Sequence, residues 1–270
     1  MKDSLEERIE RAERGGPAEL RLLVHDAALE VLEALLRNPF LSEEHLLTLL
    51  HRKNLPRELL EAVAENDQLI ASQRVKAALV QNPHTPRLVA MRLLKFLYLF
   101  DLAQVTLAPA VPAEIKRLAE DQILARLEQL PVGQQIALAR RGSARVAAGL
   151  LELGQPPVIP AALDNTFLTE AALLGVLRHD ELPEPVLEGI ARHPKWSARY
   201  DVRVQLVRHP LTPLAVALGF LPDIKVADLR VLTTDKRMAP TLRDYVRAEA
   251  ERRTRRRKPD SSPRQSRGSE

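Results

Sequence analysis

The chain has 270 residues, no cysteine, and 40 basic against 36 acidic side chains. Without thiols it forms no disulfide, no thiolate metal site and no cysteine-ligated cluster, and it has no cysteine nucleophile. Aromatic residues make up only 3% of the chain, whereas ligand pockets are usually lined with some aromatic surface.

The length exceeds that of a usual single domain, so two domains or one elongated repeat array is expected. Charge is unevenly placed: residues 252–270 hold a net of about +6, which leaves about −2 for the rest. The folded body therefore offers no electrostatic case for nucleic acid. The first residues, MKDSLEERIERAER, lack an apolar signal-peptide core. The most apolar run, Leu93 to Val111, is broken by Lys95, Asp101 and Pro109 and closed by Pro112, so no membrane span is expected. A cytoplasmic location is the natural expectation for such a chain.

Leu, Ala, Glu and Arg dominate, and no alternating strand pattern occurs, which favours an all-α fold. Residues 1–17 read as an exposed charged helix ended by Gly15-Gly16-Pro17. A second helix is expected from Ala18 to Arg37. Asn38-Pro39 stops it, because the residue before proline is pushed out of the helical region. Ser42 is a good N-cap, followed by Leu46, Leu47, Leu49 and Leu50. Pro56 opens another helix that ends near Asn66. One more starts near Ser72 and stops at Asn82-Pro83, after which Thr85 caps a helix beginning with Pro86.

The same order returns 127 residues later. Asn38 corresponds to Asn165, Phe40-Leu41 to Phe167-Leu168, Ser42 to Thr169, Asn66 to His193, Asn82 to His209 and Thr85-Pro86 to Thr212-Pro213. Roughly a third of about 64 positions are identical, and the recurring ones are caps, prolines and apolar residues, as a repeated fold requires. The expected divisions are a first repeat half at 18–110, connecting helices and a hinge at 111–157, a second half at 158–251, and a disordered basic tail at 252–270. The hinge is expected at Gly154 to Pro160, and the second copy drifts from the first after Leu221-Pro222.

Units of the form V-x-x-A-L-V-x-N-P-x-T-P-x-x-L, at Val75 to Val89 and again at Val202 to Val216, resemble the leucine-rich-repeat-variant family. HEAT-like repeats are the neighbouring resemblance. Over residues 30–225 the likeness implies an irregular α-solenoid with two homologous halves, acting as a scaffold without cofactor or catalytic residues.

Several residues invite a functional reading. His179, His193 and His209 suggest metal ligands, but His193 and His209 stand where the other copy has Asn66 and Asn82. Capping of helix ends at Asn38, Asn66, Asn82, Asn165, His193 and His209 is the favoured account. Trp196, Arg199, Tyr200 and Arg203 lie where the copies differ most, and form one candidate partner-binding segment. Some HEAT-like DNA glycosylases use Trp and Asp on a concave face, so Trp196 with Asp201 raises that analogy; packing of Trp196 between helices is favoured over it. Arg140, Arg141 and Arg145 form a second candidate, for an acidic partner or phosphate. Arg252, Arg253, Arg255, Arg256, Arg257 and Lys258 offer a non-specific polyanion contact. Phe96 to Phe100 reads as core, or as a docking patch if exposed. The function these features favour is a non-enzymatic scaffold for protein–protein interaction. The alternative is a HEAT-like nucleic-acid-binding protein using a basic concave face.

Overall fold

A computed structural model describes residues 4–257. Among these the chain is all-helical, with nineteen α-helices, three 3₁₀ turns and no strand. No helix among them is long and apolar enough to cross a membrane. Two compact units are present: residues up to Leu130 with Arg141–Val146, and Pro131–Arg140 with the residues from Ala147 on. The division near Leu130 precedes the Gly154–Pro160 stretch, which lies within the second unit.

The first unit contains α1 (Leu5–Arg14), α2 (Pro17–Leu23), α3 (Leu29–Leu36), α4 (Glu43–Leu50), α5 (Arg57–Glu65), α6 (Gln73–Gln81), α7 (Arg87–Leu94), α8 (Leu99–Leu107) and α9 (Ala113–Leu124). Ser4 caps α1 in a reciprocal box with Glu7. The sequence suggests that α1 is an exposed appendage, but it packs on α3 and buries Ala12 completely. The helix expected from Ala18 to Arg37 is also two helices. Asp26 breaks it by accepting the Ala28 N–H at 2.8 Å. Burial works against the charge of Asp26, but that bond and the Arg8 guanidinium together hold its pKa below the usual carboxylate value. From the next layer, Arg52 donates to the carbonyls of Val24 at 2.7 Å and Asp26 at 2.8 Å, satisfying acceptors that the end of α2 leaves open.

The helices start one position later than the sequence suggests, because the prolines stand just outside them. Pro56, Pro86 and Pro112 are N-caps, with φ of −62°, −55° and −56° and extended ψ. The fixed φ of proline suits a cap as well as a first helical position. Thr85 is therefore not the cap of α7. Its hydroxyl donates back to the Leu79 carbonyl at the end of α6.

Then follow α10 (Val132–Arg141), α11 (Ala144–Glu152), α12 (Ile159–Leu163), α13 (Glu170–Val176), α14 (Glu184–Arg192), α15 (Pro194–Ser197), α16 (Tyr200–Arg208), α17 (Leu214–Phe220), α18 (Val226–Leu232) and α19 (Pro240–Arg257). Helix starts recur at the spacing of 127: Leu5 and Val132, Arg57 and Glu184, Gln73 and Tyr200, Leu99 and Val226, Ala113 and Pro240. The recurrence reaches beyond the stretch where the sequences look alike. Past Pro222, the buried Val111, Ile115 and Ala119 have buried Met238, Leu242 and Val246 at the matching positions. Side-chain identity has changed there, while burial has not. Helix α19 also runs through the start of the expected disordered tail. Arg253 anchors that part, donating to Leu221 O at 2.7 Å and Ile224 O at 2.8 Å. Lys258 to Glu270, the rest of that tail, lie outside the described residues.

Candidate interaction surface

The joints between helices are built alike. Asn38 is 4% exposed and Asn82 5% exposed, so their amides must find partners inside the protein. Asn38 Nδ2 donates to Ala12 O at 2.8 Å and Gly15 O at 3.0 Å, while its Oδ1 accepts the Phe40 N–H at 2.7 Å. Asn82 Nδ2 donates to Leu50 O and Arg52 O, both at 2.8 Å, and its Oδ1 accepts the His84 N–H at 3.0 Å. Asn165 Nδ2 donates to Ala139 O at 2.6 Å and its Oδ1 accepts from Phe167 N at 2.6 Å. At His209 the ring does the same work, with Nε2 on His179 O at 2.8 Å and Nδ1 accepting from Leu211 N at 3.2 Å. These contacts fix the neutral tautomer with its proton on Nε2. Burial lowers the pKa of His209, and nearby Arg237 lowers it further; the His179 carbonyl and Asp180 pull the other way and are outweighed.

Asn66 and His193 differ from these four. Asn66 is exposed and caps only by accepting from Gln68 N at 3.0 Å and Leu69 N at 3.3 Å. His193 sits at the corresponding helix end but makes no side-chain cap. Its Nε2 lies 3.1 Å from Asp164 Oδ1, and its Nδ1 is buried without a partner. A His–Asp pair that served as a general base would keep its second nitrogen open to substrate, and here that nitrogen is sealed. His179 pairs with Glu152 at 3.3 Å. Among the described residues no cluster of three His, Asp or Glu is placed to hold a metal.

The Trp196 to Arg203 segment divides into core and surface. Trp196 is 1% exposed and its indole N–H donates to Leu163 O at 2.8 Å, so the ring is packing and is not presented to a partner. Lys195 lies outside it, its ammonium 4.0 Å from the ring centroid. Tyr200 donates to Asp228 and accepts the Lys225 N–H at 3.0 Å. Burial, and then the Asp228 carboxylate, raise its pKa. Arg203 spans Ser197 O and Asp223. Arg199 is exposed, 3.9 Å from Glu170. The divergence of this segment is thus mostly a repacked joint between α14 and α16, with Arg199 as its surface element.

Arg140 and Arg141 are exposed, while Arg145 is taken up by Asp121 at 2.6 Å and Glu120 at 3.6 Å. In the tail, Arg252 and Arg253 both close on Glu249 at 2.6 Å.

Six aromatic side chains lie at the surface, and among them the run from Phe96 to Phe100 reads in the sequence as core, or as a docking patch if exposed. Phe40, Phe96, Tyr98, Phe100, Phe167 and Tyr245 are between 44% and 65% exposed. They are six of the nine aromatic residues in the chain. Most buried hydrophobic positions belong instead to Leu, Val, Ala and Ile, with Trp196 the one buried aromatic among the described residues. Phe96 borders a groove of about 510 Å³ in the first unit, with Ala64, Ile70, Ala71 and Leu93 as its other apolar walls and Lys76 and Arg92 among its polar ones. Tyr98 and Phe100 follow directly along the chain. Their signal in the sequence was ambiguous, because an apolar run between two helices reads equally as core or patch.

No protein-family model, curated protein or solved structure matches the chain.

Proposed function

We propose that the protein is a non-enzymatic helical-repeat scaffold that binds another protein, acting in the cytoplasm. Its repeats resemble the leucine-rich-repeat-variant and HEAT-like type and form two homologous halves of an irregular α-solenoid. The halves are supported by the joints, since Asn38 and Asn165, and Asn82 and His209, make matching bonds 127 positions apart.

The observation that carries the interaction reading is the placement of the aromatics. Large aromatic side chains normally go inside, and those left outside are enriched at protein interfaces, where rigid rings contribute much of the binding energy. A chain with few aromatics that exposes most of them has put them where a partner, rather than a core, uses them. Phe96 at the first-unit groove, with Tyr98 and Phe100 exposed next along the chain, forms the proposed anchor.

Pull-down with the full-length chain should recover a stoichiometric protein partner. The triple variant Phe96→Ser/Tyr98→Ser/Phe100→Ser should lose that partner while melting at the parent temperature, because all three side chains are exposed. Recovery of no partner, or equal recovery by both proteins, would defeat this reading.

A further inference from the structure

A second surface, in the other unit, is polar. Arg230 and Thr233 at the end of α18 face Arg247, Glu251, Thr254 and Arg255 of α19 across a groove of about 490 Å³. The geometry points to a binding site for phosphoryl groups in this groove.

Helix α19 uses its arginines in two ways. Arg252 and Arg253 are committed to the fold: both close on Glu249, and Arg253 also holds two carbonyls. Arg247 and Arg255 are not. Their carboxylate neighbours, Asp244 and Glu251, stand at 3.7 Å and 3.9 Å, too far for firm hydrogen bonds. Arg230 is steered by a 3.2 Å bond to Thr254 Oγ1, and Thr254 gives its own proton to Ala250 O at 2.8 Å. A guanidinium carries five donors in a fork that matches phosphate oxygens, and most donors of these three remain to be used.

At the positions 127 earlier, Arg230, Arg247 and Arg255 are replaced by Ala103, Glu120 and Glu128, and Thr254 by Leu127. Ala103 and Leu127 are buried, at 7% and 3%. Glu120 lies on α9, whereas Leu127 and Glu128 lie beyond its end at Leu124, so the stretch that carries Thr254 and Arg255 is part of a helix only in the second unit. The basic groove has no counterpart at these positions of the first unit.

The groove chemistry also narrows the ligand. Its lining holds three guanidiniums, two threonine hydroxyls and one carboxylate, Glu251, with Ala250 as its apolar residue, so its net charge favours an anion. Arg247 and Arg255 lie eight positions apart, about 12 Å along the helix, a span that suits more than one phosphoryl group. A small diphosphate and the backbone of a nucleic acid share this chemistry.

The test uses the full-length protein and two probes, inorganic pyrophosphate by calorimetry and a fluorescein-labelled oligodeoxythymidylate by anisotropy. Binding should be saturable, weaken with salt, and fall at least about tenfold in Arg230→Ala/Arg247→Ala. It should change less than about twofold in Arg256→Ala/Arg257→Ala/Lys258→Ala, which alters the basic run that follows in the sequence. Binding of pyrophosphate identifies a small phosphate ligand, binding of the oligonucleotide alone identifies a nucleic-acid backbone, and either supports the site. The inference is overturned if neither probe binds, if the groove variant binds like the parent, if the loss follows the second variant alone, or if a hexaglutamate peptide binds as tightly as the probes. All substituted groove residues are exposed, and thermal melts of the variants check that the fold is kept.

Discussion

His209 and Asn82 perform one task with different chemistry. Each joins the carbonyl of a residue thirty positions earlier, His179 or Arg52, at 2.8 Å, and each accepts the N–H two residues later. Asn82→Ala strands the Leu50 and Arg52 carbonyls and the His84 N–H in a buried place, and should cost about 2 kcal/mol. His209→Asn restores the residue of the matching joint and should cost clearly less than His209→Ala. Urea midpoints of the three variants against the parent measure the order, and equal losses for His209→Asn and His209→Ala would show that the side-chain bonds do not hold the joint.

The same histidine makes stability depend on pH. Its folded pKa is lowered from the ordinary 6.5, chiefly by burial, and its Nδ1 must stay unprotonated to accept from Leu211. As pH falls through 6.5 the unfolded chain takes up this proton and the folded chain does not. The unfolded state then binds more protons, so stability drops. The contribution is fully present above 6.5 and is lost as pH falls toward and through the lowered folded value. Urea midpoints measured between about pH 5 and pH 7.5 should fall more steeply for the parent than for His209→Asn, which has no such group.

The joints were legible in the sequence by their local half, a side chain that accepts the N–H two residues on. Asn38, Asn82 and His209, each before a proline, and Asn165, before Thr166, all make that bond at a helix end; their reach to carbonyls 26 to 32 positions earlier was not legible. The caps Ser42 and Thr169 were legible for the same reason, accepting from His45 N at 3.4 Å and Ala172 N at 3.2 Å. What depended on distant partners was not legible. His193 has the residue type of a cap but is drawn off by Asp164, 29 positions away. The helix at 252–257 lacked apolar residues, and its order comes from Arg253 reaching carbonyls some thirty residues earlier. Exposure of Phe96 to Phe100 follows from the packing of other helices, which an apolar run by itself does not encode.

Gly154 is a backbone requirement. It has φ of +66°, and a Cβ placed there would stand 2.4 Å from Pro183 Cγ. A side chain is strained in that conformation and clashes with a stiff ring as well. Gly154→Ala should therefore destabilise the protein by about 2 kcal/mol or more. Gly133→Ala is the control, since a Cβ there meets nothing within 4 Å. Thermal melts of the two variants should differ in this sense, and a Gly154→Ala protein as stable as the control would remove the claim.

Trp196 is the position where packing and recognition give opposite expectations. It is the one tryptophan of the chain, it is 1% exposed, and its N–H satisfies Leu163 O. As the sole indole it reports directly on its surroundings. Its emission should be blue-shifted in the folded protein, resist quenching by iodide, and shift red on unfolding. Trp196→Phe keeps a ring but leaves a buried carbonyl unpaired, which should cost about 1–2 kcal/mol. Trp196→Ala also opens a cavity and should cost about 3–5 kcal/mol. A surface residue would give the reverse pattern: red emission, ready quenching, and little change in stability for either variant. Its removal would then act on partner binding alone, at constant melting temperature, and the segment from Trp196 to Arg203 would regain its claim as a contact site.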